Sequence, residues 1–276
     1  MNRILKNRKT DLWVLVIAMA MIFGVSGNAV AQSGSFYLGA SGGIERANIE
    51  HAKTVDSTNV PASYLQSGNI YSTSDSASKT GFSGGLLAGY RLTLDPSDTF
   101  YLGVEIDGQF HGGTVSGTLP GDGESEGRNQ YGEAWPDEWS VERKNSYGVT
   151  LVFGASPPFL ISLLGPGAGF YALGGVRRLD AELKVDYSGC PTGNAICTSP
   201  EEFTSGTNSY DETFYAWTAG GGLEKMIGDK IGLRGEVRYT QYGKEDRDTF
   251  SESEVKVPIS LDGSETGFSV KAVLYF

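Results

Sequence analysis

Apolar and polar residues alternate with a period of two along most of the chain. The last nine residues, 268–276, show this pattern most clearly, because alternate positions form one fully apolar face: Phe268, Val270, Ala272, Leu274, Phe276. Successive side chains of a strand point to opposite faces, so this period predicts a β-strand. The same pattern predicts seven further strands at 36–48, 80–93, 100–111, 147–154, 170–185, 213–225 and 231–242.

The segments between these stretches alternate in length. Four are long, polar and without a period, and we predict external loops at 49–79, 112–141, 186–211 and 243–263. The others are short turns, of which 156–167 has an apolar middle between its prolines and no clear assignment from sequence. Alternating long and short connections predict an all-β, up-and-down meander of eight antiparallel strands closed into a barrel.

The strand at 100–111 indicates which face of the barrel is apolar. Its alternate residues from Phe100 to Phe110 are mostly apolar, whereas Glu105 and Asp107 lie on the other face. A soluble lipocalin-like barrel would hold its apolar face inside. Charges in mid-strand opposite an apolar face instead predict an inverted, transmembrane barrel with lipid outside.

Aromatic residues concentrate at the predicted strand ends, as expected of girdles at two membrane interfaces. A soluble sandwich with aromatics scattered by β-propensity would not place them there. The predicted inner girdle is Phe36, Tyr90, Phe100, Phe153, Tyr171, Phe276. The predicted outer girdle is Phe82, Phe110, Tyr147, Tyr215, Trp217, Tyr239, Phe268.

The amino terminus has the pattern of a secretory signal peptide. Basic residues precede an apolar run at 12–25, and Ala29-Val30-Ala31 forms a small-residue cleavage site. We therefore expect residues 1–31 to be removed and residues 32–276 to form the barrel. The net charge of the whole chain is −11, and the signal segment contributes +3, which leaves −14 for the mature protein. Such an acidic chain is not expected to bind nucleic acid, which requires a basic face.

The chain resembles the OmpA-like family of eight-stranded outer membrane β-barrels, which includes small surface antigens of Gram-negative bacteria. The resemblance rests on the strands at 36–45, 84–90 and 101–107 and on the terminal Phe276. It implies a location in the bacterial outer membrane and contact with its lipids and lipopolysaccharide. It also implies that 268–276 is the insertion signal read by the barrel-assembly machinery. The pattern ends with the barrel, so we do not expect a peptidoglycan-binding role.

The inward faces of three strands carry a predicted polar cluster in the lumen: Glu105, Asp107, Arg234, Glu236, Arg238, Lys271. An eight-stranded lumen is barely wide enough for side chains, so these charges should pair with one another. As a structural core they would hold the barrel shut. As a gate they would exchange partners to open a narrow conduit.

The predicted loops are acidic and contain the two cysteines. Residues 112–141 carry a net charge of −5 and residues 243–263 one of −3. These loops could bind divalent cations or a basic extracellular ligand, or they could simply be a solvated surface. Cys190 and Cys197 predict one disulfide within the third long loop, since a metal site would need more ligands. No cofactor or metal is expected.

Enzymes of this architecture would need a histidine with a serine and an acid at the outer rim. His51 and His111 both lie near outer strand ends, but no serine–acid pattern accompanies either of them in sequence. We therefore expect a non-enzymatic protein with a structural or surface-interaction role. A narrow small-solute channel is the first alternative, and a lipid A-modifying enzyme is the second.

Overall fold

A computed structural model of the chain describes residues 34–56, 58–59, 68, 70–95, 97, 99–119, 134–189, 199–248 and 257–276. The predicted signal peptide, Cys190 and Cys197 lie outside these residues. The strands are β1 (Gly34–Asp56), β2 (Ile70–Thr93), β3 (Phe100–His111), β4 (Thr114–Thr118), β5 (Ala134–Ala155), β6 (Ala168–Gly189), β7 (Thr204–Ile227), β8 (Ile231–Asp248) and β9 (Pro258–Tyr275). A helix, α1 (Pro158–Leu164), and a 3-10 helix (Pro200–Glu202) lie in two of the connections. No helix among the described residues is long and apolar enough to cross a membrane.

All strand pairs are antiparallel, and the sheet closes on itself. Consecutive strands pair in order except β3 and β4, β3 pairs with β5, and β9 returns to pair with β1, for example Leu274 with Leu38. The short β4 also pairs with β5 and continues β3 after an interruption at Gly112 and Gly113. Gly113 has φ of 93°, which a residue with a side chain rarely adopts. The predicted eight-stranded antiparallel barrel is therefore confirmed.

The predicted long loops are wrong in their boundaries, because the strands run far into them. β1 continues to Asp56, β2 begins at Ile70, and β4 occupies part of 112–141. β5 to β9 likewise take up the ends of the predicted loops at 112–141, 186–211 and 243–263. These segments are rich in Ser, Thr and charged residues, a composition typical of loops. Residues such as Ile49 and Leu261 nevertheless point inward and bury their side chains, which supports strand structure.

Exposed apolar side chains form the band predicted to face lipid. The predicted insertion signal belongs to it, since Phe268, Val270, Leu274 and Phe276 are 43–69% exposed and Ala272 is exposed too. The outer girdle residues are all exposed as predicted. In the inner girdle Tyr171 was wrongly assigned: it is buried in the lumen, and the exposed residue is Phe170. The adjacent arginines 177 and 178 had left the orientation of this strand undetermined.

The barrel reverses the polarity of its two faces along its axis. A ring of outward-facing residues marks the outer edge of this band: Ile44, Phe82, Phe110, Tyr147, Val176, Trp217, Tyr239, Phe268. We call the part of the strands that continues beyond this ring, away from the short turns, the outer extension. Its interior is a packed apolar core that includes Val141, Leu183 and Phe214, each at most 2% exposed. Its outer surface carries ion pairs, such as that of Lys144 with Glu182 at 3.2 Å. This arrangement suits water outside, whereas the band below suits lipid outside.

Glycines in the lumen make room for large aromatic rings. Gly89 and Gly154 face Tyr37 and Tyr101, and a Cβ added at either would lie 2.3 Å or less from the ring opposite. The two tyrosine side chains are therefore accommodated at the inner end of the lumen only because these positions lack side chains.

Candidate functional site

The predicted polar cluster lies in the lumen within the apolar band, and Glu105 of β3 is at its centre. Arg234 Nη1 lies 3.0 Å from Glu105 Oε2, and Lys271 Nζ lies 2.9 Å from Glu105 Oε1. Tyr37 also donates its hydroxyl hydrogen to Glu105, at 3.3 Å. The Glu105 side chain is only 1% exposed, so its charge is balanced by protein groups rather than by bulk water.

The other predicted members complete this network from neighbouring strands. Glu236 accepts from Lys271 at 2.8 Å and from Arg238 at 2.9 Å. Arg238 also reaches Asp107, at 3.3 Å. Acids and bases alternate along the inward face of β8, and its arginines meet the two acids of β3 across the narrow lumen. The structure thus brings all six predicted residues into one buried ion-pair network.

Sequence analysis missed several members of the same network. Arg177 pairs with Asp107, and Glu224 accepts from Arg91 at 3.2 Å and lies 3.4 Å from Arg234 Nε. Arg177 was missed because its strand orientation could not be assigned. An assignment of β6 that placed Phe170 outward would have put Arg177 in the lumen. The face of β6 that contains Arg177 is, however, the more apolar one, with Leu173, Leu179 and Leu183 all buried, so apolar alternation alone did not reveal the orientation.

A second buried cluster lies at the outer edge of the band and contains His111. His111 Nδ1 is 2.7 Å from Glu45 Oε1, and Nε2 is 2.7 Å from Ser146 Oγ. Because a carboxylate only accepts, Nδ1 donates to Glu45, and in the tautomer with its hydrogen on Nδ1 the Nε2 atom can accept the Ser146 hydroxyl hydrogen. Arg177 also donates to the Ser146 hydroxyl, and Ser146 is 0% exposed. Residues distant in sequence therefore form a serine–histidine–carboxylate relay.

Arg143 balances the charge of this second cluster. Its Nη1 lies 2.6 Å from Glu45 Oε1 and 2.8 Å from Glu265 Oε2, and its Nη2 donates to the Gly112 carbonyl at 3.1 Å. Glu45, His111 and Glu265 each offer a ligand atom within 4.8 Å of the others, a spacing compatible with a divalent metal. The guanidinium between the two carboxylates supplies the positive charge that a metal would bring. The cluster is accordingly best described as an ion-pair site.

His51, the other histidine, lies in the outer extension beside the ring of Trp139, with centroids 5.6 Å apart. Burial, together with the nearby Lys53 ammonium, lowers the pKa of His51 to about 4. The ring is therefore neutral at physiological pH. Trp139 donates to Asp75 at 2.9 Å. His51 Nδ1 lies 3.4 Å from the Ser260 carbonyl oxygen, and no serine hydroxyl in the described part of the chain bonds to the ring. His51 belongs to the apolar core rather than to a reactive site.

Two sections of different chemistry thus fill the described interior from the inner to the outer end. Tyrosines and ion pairs occupy the band and its outer edge, and apolar side chains fill most of the outer extension beyond them. Charges held at hydrogen-bonding distance and excluded from water form a rigid, specific network. Chemically, the arrangement can fix the strand register and close the lumen.

The match to a protein family agrees with this architecture. A family model for the outer membrane protein beta-barrel domain matches residues 15–276. No curated protein sequence matches the chain significantly. Among solved structures, Neisserial surface protein A (NspA) is 14% identical, with 88% of this chain and 99% of that chain covered and a TM-score of 0.36.

Two further solved structures illustrate the range of proteins with this likeness. The outer membrane protease OmpT from Escherichia coli is 7% identical, with 87% of this chain and 97% of that chain covered and a TM-score of 0.41. The attachment invasion locus protein Ail of Yersinia pestis, in complex with the heparin analogue sucrose octasulfate, is 14% identical, with coverages of 82% and 98% and a TM-score of 0.25. At such values the likeness carries no information on activity.

The family match covers nearly the whole chain, and the described strands form a closed ring with an apolar outer band. The predicted resemblance and location are both confirmed. The chain belongs to the outer membrane protein β-barrel family and resides in the bacterial outer membrane.

Proposed function

We propose that this barrel is a non-enzymatic surface-interaction protein that displays acidic loops above the outer leaflet. The outer extension carries this proposal. Its strands run roughly a dozen residues beyond the outer girdle, which for tilted strands corresponds to roughly 30 Å. Its packed apolar core makes this part a rigid support. Such a support holds the loops clear of the membrane surface.

The acidic charge indicates the class of ligand. Residues 112–141 and 243–263 carry net negative charge, and the mature chain is strongly acidic. A basic extracellular protein or peptide complements such a surface, and its association would be steered electrostatically. Divalent cations are the alternative occupants. Membrane lipids surround the band, and the exposed Arg46, two residues beyond Ile44, is placed for contact with lipopolysaccharide phosphates.

The lumen favours a closed structural core over the small-solute channel. The side chains of Glu105, Arg234 and Lys271 are each about 1% exposed, and both cations pair with Glu105. Above them, the apolar core of the outer extension would oppose the passage of ions. A conduit would require both sections to rearrange.

The proposal is tested with the purified barrel in nanodiscs of neutral phospholipid, with immobilised poly-lysine as a basic probe. Neutralising two loop residues, Asp122→Asn with Glu124→Gln, should weaken binding severalfold at low salt, and the difference should vanish at high salt. The matched control neutralises two residues of the short turns, Asp98→Asn with Asp229→Asn, and should bind like the wild type. Equal loss in both variants would contradict a loop-specific role.

Planar bilayer recording forms the second arm of this test. We expect no reproducible conductance steps from the wild-type barrel, because the lumen is filled by paired side chains. Steady single-channel conductance would contradict the closed core and support the channel.

Hydrolysis is a second candidate function, favoured by the relay of Ser146, His111 and Glu45. The distances suit activation of the Ser146 hydroxyl, but the hydroxyl is buried and already engaged by Arg177. We therefore expect no covalent labelling of Ser146 by a fluorophosphonate probe and unchanged lipid A in cells that produce His111→Ala. Labelling that is lost in both Ser146→Ala and His111→Ala would establish the enzyme instead.

A further inference from the structure

The connection between β5 and β6 is a short apolar helix at the inner end of the barrel. α1 has the sequence PFLISLL, without a charged residue. Leu160 is buried at 8% exposure, whereas Phe159 and Leu163 are 67% and 75% exposed. Positions exposed to water normally carry polar side chains. The exposed apolar face of α1 therefore indicates that another apolar surface covers it.

Hydrogen bonds place the end of α1 against the outside of the barrel wall. Lys225 Nζ donates to the carbonyl oxygens of Leu164 at 2.8 Å and Pro166 at 2.7 Å. Lys225 has the same parity on β7 as the exposed residues Trp217 and Leu223, so it lies on the lipid-facing side. The helix therefore ends beside the band rather than beneath the lumen.

The position of Lys225 also fits a nonpolar environment. A lysine on the lipid-facing side is costly unless its ammonium finds acceptors or reaches water. Here the carbonyl of Leu164 at the end of α1 and that of Pro166 just beyond it accept its hydrogens, which also offsets the partial negative charge at the helix end. The carbonyl groups at the end of the helix and the Lys225 ammonium thus satisfy each other's hydrogen bonds at the inner edge of the lipid-facing band.

The apolar surface of α1 is next to the membrane-facing surface already described. Ala155 and Phe170 pair at the adjoining ends of β5 and β6, and Phe170 and Phe153 are exposed in the band. α1 follows β5 by only two residues, so its exposed side chains extend this band inward.

We propose that α1 is an interfacial membrane helix that inserts Phe159, Leu163 and Leu164 into the inner leaflet of the outer membrane. Its partner is phospholipid at the boundary of headgroups and acyl chains, where interfacial helices bury their apolar side chains. Burial of each large apolar side chain there is favourable by the hydrophobic effect. α1 accordingly anchors the barrel at a fixed depth and on one side of its circumference.

Site-directed spin labelling in phospholipid vesicles tests this assignment. The background carries Cys190→Ser and Cys197→Ser, and single labels are placed with Leu163→Cys, Leu151→Cys in the band, and Asp229→Cys in the exposed turn between β7 and β8. Accessibility to oxygen and to a water-soluble nickel chelate is compared for each label, and heat-modifiable gel migration establishes that every variant is folded.

We expect the ratio of oxygen to nickel accessibility at Leu163→Cys to be several-fold higher than at Asp229→Cys and to approach that at Leu151→Cys. A ratio equal to that at Asp229→Cys would place α1 in water and overturn the proposal. A label shielded from both reagents, with a spectrum that changes with the protein-to-lipid ratio, would show that a second copy covers α1 and would also overturn it.

Discussion

Replacing Glu105 by leucine should reduce the free energy of unfolding by about 3–5 kcal/mol. The substitution removes the shared partner of Arg234 and Lys271 and leaves two buried cations without it. Burying an uncompensated charge costs far more than losing an exposed ion pair. Equilibrium urea unfolding of the barrel in phospholipid vesicles, followed by tryptophan fluorescence and by gel migration, measures the change.

Glu182→Leu provides the matched control, because Glu182 pairs with Lys144 on the water-exposed side of the outer extension. We expect it to cost less than about 1 kcal/mol. Adding Lys271→Met to Glu105→Leu should recover part of the loss, since the double variant removes charges of both signs. A cost at Glu105 as small as that at Glu182 would indicate a hydrated lumen and would favour the gate over the closed core.

Replacing Leu183 by alanine should destabilise the outer extension by about 2–5 kcal/mol, because it opens a cavity in a packed core. Leu183 is fully buried in the apolar cluster above the band. The band does not depend on this cluster for its lipid contacts, so the loss should be local. Hydrogen exchange should rise in the outer parts of β5, β6 and β7 while the amides of the band stay protected.

Leu151→Ala is the comparison, because Leu151 is exposed on the lipid-facing side of β5. Lipid chains can fill the space left there, so no cavity persists and the outer extension should keep its protection. If Leu183→Ala and Leu151→Ala gave the same exchange pattern, the outer extension would not be an independently packed unit. The proposal that it supports the surface loops would then lose its physical basis.

The reversal of polarity along the axis explains how one barrel serves two environments. Within the band, apolar side chains meet lipid and the enclosed polar groups must satisfy each other, because no bulk water reaches them. Beyond the band, water surrounds the wall and the hydrophobic effect again favours an apolar interior. The same alternation along each strand continues through both regions, with the two faces exchanging composition.

The sequence by itself determined the fold class and the position of the six predicted lumen residues. Period-two alternation assigns each side chain of β3, β8 and β9 to one face, and Glu105, Arg234 and Lys271 share the face opposite an apolar one. A strand with one apolar face and one charged face can take only one orientation when lipid lies on one side of the sheet. The location in the outer membrane follows from the same pattern.

Only the tertiary structure decided which distant residues meet and where the strands end. Ser146, His111 and Glu45 lie on three strands, and their contact depends on the stagger between strands, which local alternation does not encode. The strand ends could not be predicted from the sequence, because the polar residues on the outer surface of the outer extension have a composition typical of loops. The packing of Leu183 and its neighbours in the interior supplies the stabilisation that keeps these segments in strands. The place of α1 likewise depends on Lys225, some sixty residues away in the chain. Strand periodicity is local, whereas pairing partners are set by barrel closure.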